Sequence, residues 1–200
     1  VYKNKIHSYK ELPLRLAETT TLYRNEKSGT LHGLTRVRSL SQDDSHIFLK
    51  PDQIGAEIFL LLEKIKNIYQ VFGLEIAAVY LSTRPEKFLG EKTDWDLAEN
   101  YLKDALAKAK LDYIINEGDG AFYGPKIDVQ VKDALGRLWQ LATIQLDYQL
   151  PQRFGLVYDD ADGSEKTPVV IHRALLGSIE RFLGVIIEHY AGALPVWLSP

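Results

Sequence analysis

Hydrophobic positions recur at two periods along this chain, and each change of period marks an element. From Ile54, apolar residues return at three- and four-residue spacing through Ile58, Leu61, Leu62, Ile65, Ile68, Tyr69 and Phe72 until Gly73 ends the run. That spacing predicts an amphipathic helix opened by Pro51. A second helix is predicted over residues 94–110, with Thr93 as its N-cap, Asp94 and Asp96 in the first turn, and Trp95, Ala98, Tyr101, Leu102, Ala105 and Leu106 facing inward. A third is expected from Ala174, burying Leu175, Leu176, Ile179, Phe182, Leu183, Ile186 and Tyr190. Strand patterns fill the rest. Residues 74–82 are apolar and branched, which predicts a buried strand, and residues 113–116 give a further strand signal. Ile127, Val129 and Val131 alternate with polar residues, Gly136 turns the chain, and residues 138–147 return as the partner strand. Residues 168–171 form a short buried strand that ends in His172. This succession reads as α+β.

The richest stretch runs from Tyr23 to Phe48. Gly29 and Gly33 sit between two alternating runs, the pattern of a long β-hairpin with a flexible tip, whose first strand is entered over residues 19–23. Period-two geometry puts Arg24 and Glu26 on one face of the first arm and Arg36 and Arg38 on one face of the second. Such a ribbon suits a polyphosphate, because guanidinium forks bind phosphate or carboxylate and a nearby acid accepts from an exocyclic amine. It equally suits a salt-laced surface hairpin. The leading residues 1–18 carry Pro13 in an edge or turn position and are assigned no chemistry.

Three further features call for partners. Residues 117–126 hold Gly118, Gly120, Gly124 and Pro125, so this loop either brings its main chain close to a small ligand, with Tyr123 and Lys126 as polar contacts, or simply turns tightly between strands. Gln140 and Gln145 sit in an otherwise apolar strand, where a ligand or a buried hydrogen bond must satisfy their amides. Arg181 lies on an apolar helix and needs an anion, a carbonyl or a path to solvent. The polar residues 151–166 predict an exposed hairpin loop; Asp159, Asp160, Asp162 and Gly163 lack the later glutamate of a calcium loop.

Composition narrows the classes. Two hundred residues at 46% hydrophobic and 26% charged suit one domain with a real core, and a net charge of −3 confines any nucleic-acid contact to local patches. The absence of cysteine excludes disulfides and any thiolate metal site built from this chain alone. No apolar run approaches membrane-spanning length and nothing resembles a signal peptide, so a cytoplasmic setting is expected. Methionine is absent too, which points to a piece of a longer protein.

Four blocks then carry a resemblance. Arg24-Asn25-Glu26, with His32-Gly33-Leu34-Thr35-Arg36-Val37-Arg38 and Gln42-Asp43-Asp44-Ser45-His46-Ile47-Phe48, resembles motif 2 of the threonyl-tRNA synthetases, a family of class II aminoacyl-tRNA synthetases. Leu81 to Lys87, Gly120 to Lys126, and Ile171 to Phe182 resemble the same family in the same order, the last block being similar to motif 3. The resemblance implies a partial catalytic core over residues 1–200, with motif 2 at about 19–48 and motif 3 at about 168–190, built as an antiparallel sheet flanked by helices. It implies ATP-dependent activation of L-threonine and transfer to tRNA(Thr). Arg24 and Arg181 would be catalytic. Arg24, Glu26, Arg36, Gln140 and Arg181 would hold ATP with Mg²⁺, and Gln42, Asp44, Tyr123, Lys126, Gln145 and Ser178 would surround threonine. His46 and His172 fall on the family's two zinc-binding histidines, and its cysteine ligand would lie just before Val1. The family's motif 1, editing and anticodon-binding regions do not fit in this chain, so homodimerisation is expected of the full-length protein and weak activity of the isolated piece. A synthetase paralogue that regulates or binds is the alternative, opposed by the retained Arg24, Glu26, Arg36, Asp44 and Arg181. An unrelated nucleotide-binding α+β protein is opposed by the lack of a Walker-type glycine loop.

Overall fold

The computed structural model describes residues 1–199. Its elements, in chain order, are β1 (Leu14–Tyr23), β2 (Ser39–Leu49), α1 (Ile54–Val71), β3 (Ile76–Ser82), α2 (Lys92–Lys108), β4 (Ile114–Asn116), β5 (Lys126–Lys132), β6 (Leu138–Asp147), α3 (Gln149–Arg153), β7 (Tyr158–Asp159), β8 (Glu165–Lys166), β9 (Val169–Ala174) and α4 (Ile179–His189). Seven strands form one sheet in the order β1-β2-β9-β6-β5-β3-β4, antiparallel throughout except for the β3–β4 pair. β7 and β8 make a separate small hairpin.

Alternation divides the sheet into two faces with different tasks. Ile47, Leu49, Leu81, Ile127, Val129, Ile144, Leu146 and Ile171 point to one side and pack with Ile54, Ile58, Leu62 and Ile65 of α1, Leu102 and Leu106 of α2, and Phe182 and Ile186 of α4. Each Leu or Ile fully buried in this way contributes about 1.5–3 kcal/mol of transfer free energy. The other face carries the polar strand positions. One end of it is closed by a second cluster of Tyr2, Leu12, Phe48, Tyr158 and Val170.

The α+β architecture with a mainly antiparallel sheet is as expected, but several boundaries differ. β1 begins at Leu14, five residues before the expected entry, and pairs with β2 along its whole length. β3 is buried at its far end, at Val79, Leu81 and Ser82, whereas Ala77, at the register irregularity near its start, is exposed. α2 starts at Lys92, so Thr93 lies inside its first turn and caps nothing. The hairpin expected at residues 151–166 contains the end of α3 and buries Tyr158. The largest shift is at the last helix. Ala174 ends β9, residues 175–178 form a turn, and α4 begins at Ile179 with the Ser178 hydroxyl accepting from the Arg181 N–H at 3.2 Å. Leu175 is buried in that turn, whereas Leu183 is 43% exposed on the outer side of α4.

Candidate active site on the open sheet face

Cross-strand register assembles the site. His46 on β2 faces His172 on β9, His172 faces Gln145 on β6, Gln145 faces Lys126 on β5, and Lys126 faces Ser82 on β3. Residues two positions along share that face, which adds Gln42 and Asp44 from β2, Thr143 from β6 and Asp128 from β5. Gln140 and Gln145 are five apart, an odd number that a regular strand would send to opposite faces. A register shift resolves this: Val129 pairs with Ala142 but Gln130 pairs with Gln140, leaving Leu141 as an extra residue that resets the alternation.

Two clefts open on this face, of about 300 and 320 Å³. Glu26, Arg36, Gln140, Ser178 and Arg181 line the first; Asp44, His46, Tyr123 and His172 line the second. Arg24, Gln42, Thr143 and Gln145 line both, so the two spaces join at those residues. A third cleft of about 620 Å³ continues past Gln42, Asp44 and His46 along β1 to Val1 and Tyr2. Every residue expected at the site lines one of the first two clefts except Lys126. Its ammonium is held one strand over, 2.6 Å from Asp128 and 3.0 Å from Asp119. Burial opposes its charge, yet those two carboxylates keep its pKa above the ordinary lysine value.

The arginines of the first cleft are not on a regular ribbon. The β1–β2 ladder ends at Tyr23 and Ser39, so the period-two placement of Arg24, Glu26, Arg36 and Arg38 gives way to an irregular tip closed by the Arg24 N–H donating to the Arg38 carbonyl at 2.8 Å. Both later arginines turn to Glu26: Arg36 donates to its carboxylate at 3.1 Å and Arg38 to its carbonyl at 3.0 Å. Arg181 is held by the carbonyls of Thr35 at 2.9 Å and Gln140 at 3.3 Å. Burial first, and then the nearby Arg36 and Arg24, lowers its pKa. Three guanidiniums facing one small cleft repel one another, which is the electrostatic signature of a polyanion site.

Asp43, which was not anticipated, positions this cluster. It alternates away from Gln42 and Asp44, and its carboxylate accepts from the N–H groups of Leu175 at 2.8 Å, Leu176 at 3.1 Å and Gly177 at 2.9 Å, and from Arg173 at 3.2 Å. Burial nevertheless raises its pKa. These bonds fix the turn that starts α4. Gly177 completes it at φ 75°, where an added Cβ would lie 2.6 Å from the Leu141 carbonyl. Nothing in the periodicity marks Asp43; it becomes visible only once the turn is known.

In the second cleft the His46 and His172 rings meet edge to face with centroids 4.7 Å apart. His172 Nε2 lies 2.9 Å from the fully buried Asp147 carboxylate, an arrangement that fixes the ring and leaves its other nitrogen available. Burial, followed by the neighbouring His172, holds His46 below the ordinary histidine pKa against the opposing pull of Asp44 and Asp147. Two facing imidazoles, one backed by a carboxylate, have the donor chemistry of a partial zinc site. Among the described residues no group of three or more His, Asp or Glu side chains could hold a metal. Tyr123 donates its hydroxyl to Gln145, and burial raises its pKa to about 12. Packing requires two of the glycines of its loop: a Cβ on Gly124 would lie 1.8 Å from the Leu146 carbonyl, and one on Gly120 would lie 2.5 Å from that of Thr83. The two glutamines are satisfied internally, Gln140 by Asp128 at 2.7 Å and Gln145 by Tyr123 and Thr143.

Comparison with known proteins gives this geometry a family. The chain is 58% identical over all 200 residues to a threonine–tRNA ligase from Carboxydothermus hydrogenoformans, of which it covers 31%. It superposes with a TM-score of 0.96 and 51% identity on the RNA binding domain of a threonyl-tRNA synthetase from Cryptosporidium parvum, covering all of this chain and 50% of that one. A threonyl-tRNA synthetase structure from Aeropyrum pernix matches 90% of the chain, and 43% of its own, at TM-score 0.77 and 36% identity. The chain thus spans about a third of the length of the curated relatives it matches. The family model for the class II tRNA synthetase core domain (G, H, P, S and T) matches residues 1–190, and the chain belongs to that family.

Proposed function

We propose that these residues form the part of a threonine–tRNA ligase that activates L-threonine with ATP to threonyl-adenylate, before transfer to tRNA(Thr). The observation that carries this reading is the joining of a polyanion cleft and an amino-acid-sized cleft at Arg24, Gln42, Thr143 and Gln145. A bond between a carboxylate and an α-phosphorus forms, and the bond from that phosphorus to the departing pyrophosphate breaks, where two such sites meet. The carboxylate nucleophile is already ionised, so the protein supplies positioning and charge neutralisation rather than a general base. Arg24 stands at the junction and takes the α-phosphate together with the threonine carboxylate. Arg36 and Arg181 take the distal phosphates, with Mg²⁺ arriving on ATP. Glu26 accepts from the adenine amine, and Arg36, now on one oxygen of its carboxylate, leaves it to reach the phosphates.

Asp44 and Tyr123 face the amine and hydroxyl of threonine, with Gln42 and Gln145 behind them. His46 and His172 supply two of the ligands for a zinc ion, whose remaining positions come from outside these residues. A zinc ion held by these histidines would supply a Lewis-acid centre for the threonine amine and hydroxyl, which would favour threonine over the isosteric valine. The whole protein acts as a cytoplasmic homodimer. Lys126 acts beside the pocket through its carboxylates, and Ser178 lines the polyanion cleft as the cap of α4.

The test is amino-acid-dependent exchange of pyrophosphate into ATP by the full-length protein that carries this chain, comparing threonine, serine and valine with and without a zinc chelator. Exchange that prefers threonine and fails on chelation is expected. Exchange with a different amino acid, or ATP binding without exchange, overturns the reading in favour of a paralogue.

A further inference from the structure

Asp128 lines neither cleft and is only 3% exposed, yet it accepts three hydrogen bonds beneath them and shares a fourth donor. Its Oδ1 takes Gln140 Nε2 at 2.7 Å and Thr143 Oγ1 at 2.8 Å; its Oδ2 takes Lys126 Nζ at 2.6 Å and lies 3.3 Å from Ser82 Oγ, whose one proton it shares with Asp119 at the same distance. A carboxylate paired with lysine only accepts, and this fixes the direction of every bond above it. The single proton of Thr143 goes to Asp128, so Thr143 Oγ1 receives the Gln145 amide, Nε2 being 3.4 Å away. The other end of that amide, Oε1, is then turned to Tyr123 and takes its hydroxyl proton. The Tyr123 oxygen therefore has lone pairs, and no proton, left for the cleft.

We propose that Asp128 is a positioning residue that sets the hydrogen-bond polarity of the amino-acid cleft, presenting Tyr123 as an acceptor so that the site selects a ligand whose α-nitrogen bears N–H groups. The proposal rests on reading this cleft as the threonine site. The relay runs from the surface of the pocket to a buried charge, so one substitution at its base reverses what the top displays. With an amide in place of the carboxylate, Thr143 and Gln145 can turn over and Tyr123 is free to donate. An α-nitrogen then meets a donor, whereas an α-hydroxyl finds a partner either way.

The experiment compares binding, by calorimetry on the full-length protein, of L-threonine and of its analogue 2,3-dihydroxybutanoate, in which a hydroxyl replaces the amine. For the unaltered protein the expected preference is for threonine. Asp128→Asn is expected to shrink the ratio of the two affinities by about ten- to a hundredfold, the scale of one hydrogen bond to a charged partner. Thr143→Val, which cuts the relay without touching the carboxylate, is expected to shrink it likewise and carries the test alone should Asp128→Asn not fold. Ser82→Ala removes a donor from the same carboxylate outside the relay and is expected to leave the ratio within about twofold. An unchanged ratio in Thr143→Val, or an equal fall in Ser82→Ala, overturns the proposal. Failure of the unaltered protein to bind threonine would instead overturn the functional reading beneath it.

Discussion

The hairpin tip and the sheet floor solve the same problem, holding polar groups ready for a ligand, by opposite means. At the tip, Arg36 is half exposed, the ladder has ended, and Glu26 is the partner of two arginines. On the floor, His172, Gln145 and Thr143 are locked in register between paired strands, and each has a partner beneath or beside it: the buried Asp147, the half-buried Tyr123 and the buried Asp128. The tip is stabilised by pairs a ligand must displace; the floor by pairs a ligand leaves intact. The contrast teaches where each kind of recognition resides. On the proposed reading, the polyphosphate would meet guanidiniums whose present partners it can replace, and the amino acid would meet donors and acceptors already fixed by the sheet.

The comparison breaks most sharply at Arg24, the tip residue that reaches the floor, with Nη2 3.5 Å from Gln42 Oε1. Arg24→Ala is expected to cost about 3–4 kcal/mol of transition-state stabilisation, on the scale of losing one preorganised donor, while stability stays within about 0.5 kcal/mol because the side chain is exposed. Pyrophosphate exchange set beside urea denaturation separates the two. Near-normal exchange would remove Arg24 from the junction.

Asp43 offers the reverse pattern, structure first and chemistry second. Asp43→Asn leaves one acceptor where four donors converge and sets an amide N–H against the Leu175 N–H or Arg173. A loss of about 2 kcal/mol in folding stability is expected, the usual penalty for a buried donor left unmatched. ATP binding should weaken with it, since the same turn sets Ser178 and Arg181. A destabilised variant with unaltered ATP affinity would show that the turn is scaffold alone.

The fold class, the histidine pair and the identity of the cleft arginines were legible in the sequence because alternation, helical spacing and four ordered blocks all lie in local patterns. What escaped is non-local. The bulge at Leu141 depends on pairing with Val129 and Gln130, so five-residue spacing could not reveal that Gln140 and Gln145 share a face. Asp43, Asp128 and Asp147 read as ordinary strand polar residues until register puts donors from distant segments around them. Ala174 continued an apolar helical pattern and was assigned accordingly, but its partner Thr143 on β6 draws it into the sheet. Tertiary pairing outweighed local periodicity there. The tip failed the other way: alternation was read past the point where the ladder stops.

On the floor a pH titration sharpens the comparison further. His46 has a folded-state pKa below its ordinary value of about 6.5, so between the two the unfolded chain binds more protons than the folded one. Stability therefore rises with pH across that interval and is lost as pH falls below the ordinary histidine range. Denaturation midpoints from pH 5 to 8 should fall on the acid side, and His46→Asn should flatten that limb. Zinc affinity, if it draws on the same neutral imidazole, should fall in step, because proton and metal compete for one lone pair. An acid limb unchanged by His46→Asn would assign the loss to another group.

The smallest effect is expected back at the tip. Arg36 and Glu26 are 3.1 Å apart but 51% and 22% exposed at their side chains, so the pair is screened by solvent and salt. A double-mutant cycle of Arg36→Ala and Glu26→Ala should give a coupling of under about 1 kcal/mol in folding stability, falling further at high salt. That weakness is what the proposed phosphate contact requires. Arg36 must leave Glu26 to reach the phosphates, and a pair this weak can be exchanged for a ligand contact without cost to the fold. The cycle should accordingly look different when read out by ATP binding, where both single variants weaken affinity and their effects add, because each side chain meets a different part of the ligand. A coupling of several kcal/mol in stability would mean that the tip is as rigid as the floor, and the division between adaptable and fixed recognition would fall.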